Sequence, residues 1–318
     1  EGAFIEAEKT AEIDLIAPIA ADLGASYLMT GEYFKITKMA PRVLDLLEKT
    51  QKQHESFWGG MNLYSAFLAT YGHALGHLGN FQEGHALCEK GLRFATEIND
   101  HYSMAFAELM YGFDFDTKGD GENAVEHLQR CIKYADEAQF FVILGQARAA
   151  LAWGYYLAGD LGTAGDCAAE AIKIQSNIGV PYNLSVPYYV LGMIHFDSGD
   201  LKAAQSHVEK ALELSQNSNQ KDFQGMSLIL LGRLLGRVDA LQRRDAEERI
   251  LQGISILTEL QLKPLYSTGF LYLAEHYADT GQTEKALENL RKAEAMFQEM
   301  GMDYWLARTQ SVLERLQG

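Results

Sequence analysis

The sequence predicts an all-α solenoid of about seven helix pairs, closed by a lone C-terminal helix. Three observations carry that reading. The pairs Gly79-Asn80, Gly119-Asp120, Gly159-Asp160 and Gly199-Asp200 each stand 40 residues after the one before, and self-similarity at such a period marks stacked repeats. Small and apolar residues return at fixed offsets around each pair: Gly72, Gly112, Ala152 and Gly192 before the turn, then Gly84, Ala124, Ala164 and Ala204 after it. Cys88, Leu128, Ala168 and Val208 follow, and Gly91, Cys131, Ala171 and Ala211 complete the set. Only 5 prolines and scarcely any β-branched runs leave helix as the default. Glycine supplies the backbone angles that end one helix, Asp or Asn caps the next, and the small residues let two antiparallel helices approach.

Taken in order, residues 1–57 form a divergent N-terminal unit. Ala7 to Met29 reads as helix, with Pro18 kinking it or opening a new one. Gly31-Glu32 resembles a repeat turn but lies 48 residues before Gly79. The extra length is placed at Tyr33 to Ala40, a linker ending where Pro41 opens the partner helix. Residues 58–300 hold six helix pairs, near 60–97, 101–138, 141–177, 183–216, 221–260 and 263–299. Pro181 and Pro187 belong to the loop and first turn of the fourth regular pair, and Arg237 to Arg244 lengthen the turn of the fifth. Residues 301–318 make a capping helix, because solenoid ends must face water. All are parts of one continuous solenoid.

Composition narrows the functional classes. A net charge of −16 and a pI near 5.0 oppose nucleic acid and anionic membrane surfaces as partners. No apolar run approaches the roughly 20 residues that span a bilayer. No signal peptide is evident, and a start at Glu1 rather than Met reads as a piece of a longer protein. Cys88 and Cys131 fall on repeat core positions, which suits buried, reduced thiols and a cytoplasmic setting.

These residues resemble the tetratricopeptide repeat (TPR) family. Its pattern is matched by the small residue before the turn, by a large one three positions later (Leu75, Phe115, Tyr155, His195, Leu235, Tyr277), and by the small–large–small series after the turn. The period is 40 rather than 34, and the closing proline is missing, so each helix is about a turn longer. That longer form is similar to the repeats of bacterial signal-transduction ATPases, of nucleotide-cyclase fusions and of maltose-type transcription activators. The tail Glu299 to Leu306 is especially similar to the cyclase-linked kind. The resemblance implies a right-handed TPR-like α-solenoid whose first helices line a concave groove. It also implies that positions 13, 10, 6 and 3 residues before each turn glycine face that groove.

Those offsets give Ala66, Ala69, His73 and Gly76; then Phe106, Leu109, Phe113 and Asp116; then Gln146, Ala149, Trp153 and Tyr156. The next units give Val186, Tyr189, Met193 and Phe196, then Met226, Ile229, Arg233 and Gly236, with Arg237 adjacent. A groove facing water should be polar, whereas this stripe is aromatic, and such patches mark binding sites. The candidate partner-binding groove is therefore Phe106, Phe113, Trp153, Tyr156, Tyr189, Met193, Phe196, Arg233 and Arg237. The rings would wall a pocket closed at one end by Arg233, with the arginines pairing an acidic group on the ligand. The competing reading is that tight curvature buries the rings as ordinary core.

Catalytic chemistry finds no support. His73 and His77 stand one helical turn apart with His85 beyond, but no fourth ligand is evident, so no metal site is assigned. Asp114 to Gly119 mimics a calcium loop, yet Lys118 takes a ligand position and Val125 stands where the bidentate Glu belongs. No phosphate loop, cofactor motif or nucleophile arrangement occurs. The expected function is a non-catalytic binding and regulatory module of a cytoplasmic bacterial signalling protein. Its ligand would be a protein or peptide segment, or the rest of its own parent chain. A small-molecule, sugar-like sensor and an oligomerisation scaffold, for instance a homodimer, are the alternatives.

Overall fold

The computed structural model describes residues 1–55, 60–179, 183–238 and 243–317, and all its regular structure there is helical. The N-terminal unit comprises α1 (Gly2–Thr10), α2 (Ile13–Thr30) and α3 (Tyr33–Lys49). Six antiparallel pairs follow: α4 (Leu63–His77) with α5 (Phe81–Glu97), α6 (His101–Lys118) with α7 (Gly121–Glu137), and α8 (Phe141–Leu157) with α9 (Leu161–Asn177). Then come α10 (Ser185–Ser198) with α11 (Leu201–Asn217), α12 (Lys221–Val238) with α13 (Arg243–Glu259), and α14 (Lys263–Asp279) with α15 (Thr283–Met300). The lone α16 (Asp303–Gln317) ends the stack.

Each repeat turn works as its residues dictate. Gly159 has φ 84°, a left-handed conformation that ends α8 without steric cost. The Asp160 carboxylate then accepts from the Thr163 backbone N–H and caps α9. Asn80, Asp120 and Asp200 cap α5, α7 and α11 in the same way. Within a pair the two backbones nearly touch. A Cβ on Gly72 would sit 2.4 Å from the Gly84 carbonyl oxygen, so no larger residue fits there. The turns between units also keep the 40-residue period, with Asn99, Gln139, Gly179 and Asn219 all left-handed. Cys88 and Cys131 are fully buried, and burial raises both thiols well above their ordinary range.

The N-terminal unit departs from expectation. Ala7 to Met29 is not one helix, because Ala11 is left-handed and separates α1 from α2. Tyr33 to Ala40 is not a linker either; it is the first half of α3, which runs through Pro41. α2 likewise runs through Pro18. A proline forfeits one backbone hydrogen bond, and the apolar faces around it keep the helix whole: Ile16, Ala17 and Ala20 in α2, and Ile36, Met39, Ala40 and Val43 in α3 are buried. The extra length lies instead between α3 and α4. Of the other loop assignments, Pro187 is in the first turn of α10, whereas Pro181 and part of the Arg237–Arg244 turn fall outside the described residues. α2 also meets, at 18 residues, the length and apolarity needed to cross a membrane. In the fold Ile13, Ile16, Ala17, Ala20 and Tyr27 of α2 are buried in the core, while Leu15 and Met29 stay exposed.

The superhelix returns on itself. α14 touches α4 and α6 as well as its sequence neighbours. Gly31 abuts Asp222 and Leu260, Gly79 abuts Met300, and Gly119 abuts the Trp305 indole. Across this seam the Tyr33 hydroxyl donates to the Asp222 carboxylate at 3.3 Å. The last units thus cover the first, and the concave groove becomes an interior.

Candidate functional site: two hollows inside the ring

Every first helix from α2 to α14 lends side chains to a central cavity of about 280 Å³, and Trp305 of α16 closes part of it. Phe106 and Phe113 come from α6, Trp153 from α8, and Tyr189 and Met193 from α10. The Trp153 ring stacks on Tyr189 at 5.3 Å, and Phe223 of α12 stands edge-on to both, at 6.4 and 6.2 Å. Phe106, Phe113 and Trp153 keep part of their surface open, while Tyr189 and Met193 are buried. About nine water volumes of space remain between them.

The cavity's electrostatics are one-sided. Neither lysine nor arginine lines it among the described residues, but Asp116 and Asp222 do. Asp222 accepts from Tyr33 and from the Phe223 backbone N–H. Burial raises its pKa in spite of those bonds. Asp116 is only 5% exposed and accepts no hydrogen bond from any described side chain or backbone N–H. Burial alone pushes its carboxyl well above the ordinary 3.8. The Trp153 indole N–H on the same wall is also buried without an acceptor.

A second, smaller hollow of about 50 Å³ lies under α12 and α14, lined by Phe196, Arg233, Arg237, Tyr272 and Glu275 among others. Here everything is matched. The Arg233 guanidinium is sandwiched between the Phe196 and Tyr272 rings, at 4.4 and 3.8 Å to their centroids, and donates to Glu275 at 3.2 Å. Arg308 of α16 donates to the other Glu275 oxygen at 3.1 Å. Burial alone would raise the Glu275 carboxyl, but the two guanidinium groups outweigh it and hold the pKa below its ordinary range. Arg237 lies over the outer face of Phe196, 4.2 Å from its centroid.

The nine residues read from the sequence as one groove therefore divide. Phe106, Phe113, Trp153, Tyr189 and Met193 meet in the central cavity; Phe196, Arg233 and Arg237 belong to the matched hollow; Tyr156 lines neither, its hydroxyl donating to Asp197 at 2.6 Å. Arg233 does not close the central cavity and is not free for an acidic ligand group, because Glu275 already holds it. Asp116 stood on the stripe, and its signal was an acid in register with aromatic residues. Asp222 and Trp305 carry no local signal, since only ring closure brings them inward, and Phe223 reaches Trp153 and Tyr189 from α12 at a position outside the groove offsets.

The histidines also regroup. His73, His77 and Asp114 bring their ligand atoms within 4.8 Å of one another, all buried. His85 lies apart, packed against Phe115 at 4.4 Å and Tyr111 at 5.2 Å. The three could hold a divalent cation by donor type, yet they already satisfy one another. His73 Nδ1 is 3.1 Å from Asp114, and His77 bonds the His73 carbonyl and the Thr117 hydroxyl. Burial lowers the His77 pKa, and the two rings hold Asp114 below its ordinary range although burial opposes this.

Known proteins place this architecture. No protein of curated function matches the chain in sequence. Among solved structures, a Rap protein complexed with competence and sporulation factor superposes with a TM-score of 0.72 at 13% identity, covering 91% of this chain and 76% of that one. The Rap conjugation gene regulator of plasmid pLS20, in complex with the Phr* peptide, gives 0.70 at 15% identity over 91% and 74%. A signal-transduction ATPase with numerous domains (STAND) with a tetratricopeptide repeat sensor, from Pyrococcus horikoshii, gives 0.51 at 15% over 96% and 45%. At these identities the likeness is one of fold. Residues 117–318, more than half of the chain, match the model of the MalT-like TPR region. The chain belongs to the family of MalT-like TPR regions.

Proposed function

We propose that this chain is a non-catalytic sensor and binding module of a cytoplasmic bacterial signalling protein, and that it captures a partner segment by an apolar anchor in the central cavity. The observation that supports this reading is the cavity itself: a partly open aromatic hollow inside the ring, to which every first helix contributes. Burying a phenylalanine-sized anchor there is worth roughly 2 kcal/mol. Two of the structural neighbours were solved with a factor or peptide bound, which is consistent with capture by this kind of ring. A small-molecule sensor is the second reading, favoured by the cavity's volume, which lies just below the common range for ligand pockets.

The test uses 2-phenylethanol as a stand-in for a phenylalanine anchor. Ala150 lines the cavity, so Ala150→Trp fills it. Calorimetric titration is expected to show saturable one-to-one binding to the wild type and none to Ala150→Trp. Equal binding to both, or none to the wild type, would remove the cavity as the site.

A further inference from the structure

The central cavity holds a buried charge-bearing group that the fold does not use. Asp116 is the last groove-facing residue of α6, one turn before the Gly119 turn, and its carboxylate lines the cavity against the backbone of Gly154. Asp114, two residues earlier, shows what a partnered buried acid looks like here, with histidine donors at 3.1 and 3.8 Å. Glu275 shows it again with two arginines. Asp116 has neither among the described residues, and burial is the sole influence on its titration. A buried acid without a donor costs stability, and folding gives nothing back for it. The cost is offset only when something enters the cavity carrying a donor.

What enters is constrained from several sides. The walls are aromatic, so a flat or aliphatic body fits them. The second acid, Asp222, lies on the same cavity, and no lysine or arginine among the described residues balances the pair. The rings of Trp153, Tyr189 and Phe223 favour a cation over their faces. The unpartnered Trp153 indole N–H asks for a carbonyl or hydroxyl oxygen. An anionic ligand would meet two carboxylates, and the two histidines that also line the cavity, His73 and His77, already face Asp114.

We propose that the central cavity recognises a cation on an apolar body, a protonated amine or guanidinium that pairs with Asp116 while the aromatic walls take the rest. This rests on the cavity being the binding site, and it reverses the charge that a ligand for the Arg233 hollow would carry. A free amine and a lysine or arginine side chain of a peptide share this chemistry.

The experiment compares 2-phenylethylamine with 2-phenylethanol, which differ only in the charged head, on the wild type and on Asp116→Asn. The amine is expected to bind the wild type about ten-fold more tightly than the alcohol. In Asp116→Asn the two should come within about two-fold, mainly through a loss of the amine's affinity. Phenylacetate should bind more weakly than either. Alcohol and amine binding the wild type equally would overturn the cation, while leaving the cavity in place. Failure of both would overturn the cavity and the cation together. Retention of the amine's advantage in Asp116→Asn would overturn the role of Asp116. A lysine-bearing tetrapeptide and its norleucine isostere form a second arm. Tighter binding of the lysine peptide than of 2-phenylethylamine assigns the cation to a peptide side chain, and the reverse assigns it to a free amine; equal binding of the two peptides with no amine preference would overturn the proposal.

Discussion

The two hollows inside the ring use the same materials to opposite ends. Both are lined by aromatic residues from the first helices, and both bury an acid. Under α14 the acid is Glu275, held by Arg233 and Arg308. Beside α6 it is Asp116, held by nothing described. A buried charge with its counter-charge supplied by the chain closes a site and finishes it. A buried charge without one leaves the site open to whatever carries the missing half.

Substitutions can break or sharpen that contrast. The largest effect belongs to the matched hollow. Glu275→Ala strands the buried Arg233 guanidinium between its rings, and urea unfolding is expected to show a loss of about 3–5 kcal/mol. A loss under about 1 kcal/mol would mean that the pair is no more than a surface ion pair. Next is Trp153→Ala on the shared wall of the open cavity. Trp153 is half-buried, so its removal should cost about 2 kcal/mol, less than the roughly 3–5 of a fully packed tryptophan, and should abolish 2-phenylethanol binding.

Asp116→Asn reverses the sign. It should raise stability by about 1 kcal/mol at neutral pH, because it removes a buried carboxyl that has no donor. The folded pKa lies above the ordinary 3.8. Below that value both states are protonated and nothing is gained. As pH rises through it the unfolded chain ionises first and wild-type stability falls. The melting advantage of Asp116→Asn should therefore be absent in acid and grow toward neutrality. His77, with its pKa lowered by burial, costs both proteins stability as pH falls below 6.5 and cancels in the difference. The smallest effect is Arg237→Ala, an exposed side chain over the buried Phe196 ring, which should lower stability by no more than about 0.5 kcal/mol. A larger loss would mean that Arg237 holds Phe196 as firmly as Arg233 does.

Much of this fold was legible because the repeat enforces it locally. Gly159, Asp160 and Ala164 each do one job within one unit, and the 40-residue period displays that job again at Gly119 and Gly199. The same logic placed Trp153 and Phe113 on the inner face. It failed where information is not local. Tyr33 to Ala40 read as a linker because the extra spacing before Gly79, with Pro41 at its end, outweighed the buried face of Ile36 and Met39 that holds α3 together. Arg233 read as free because Glu275 is a unit away in sequence, and pairing between units leaves no periodic trace. Asp222 and Trp305 were invisible as cavity residues for a further reason. Closure depends on the small angle each unit adds to the next, and no single residue encodes that sum.

The seam where Gly31, Gly79 and Gly119 meet the last units has a kinetic meaning. For a ligand too large for the cavity's open side, the Tyr33–Asp222 contact is the edge that would have to part, so its exchange would depend on that seam as well as on its own contacts. Because the displacement at that edge is shared among all the interfaces of the stack, each needs to yield only a little.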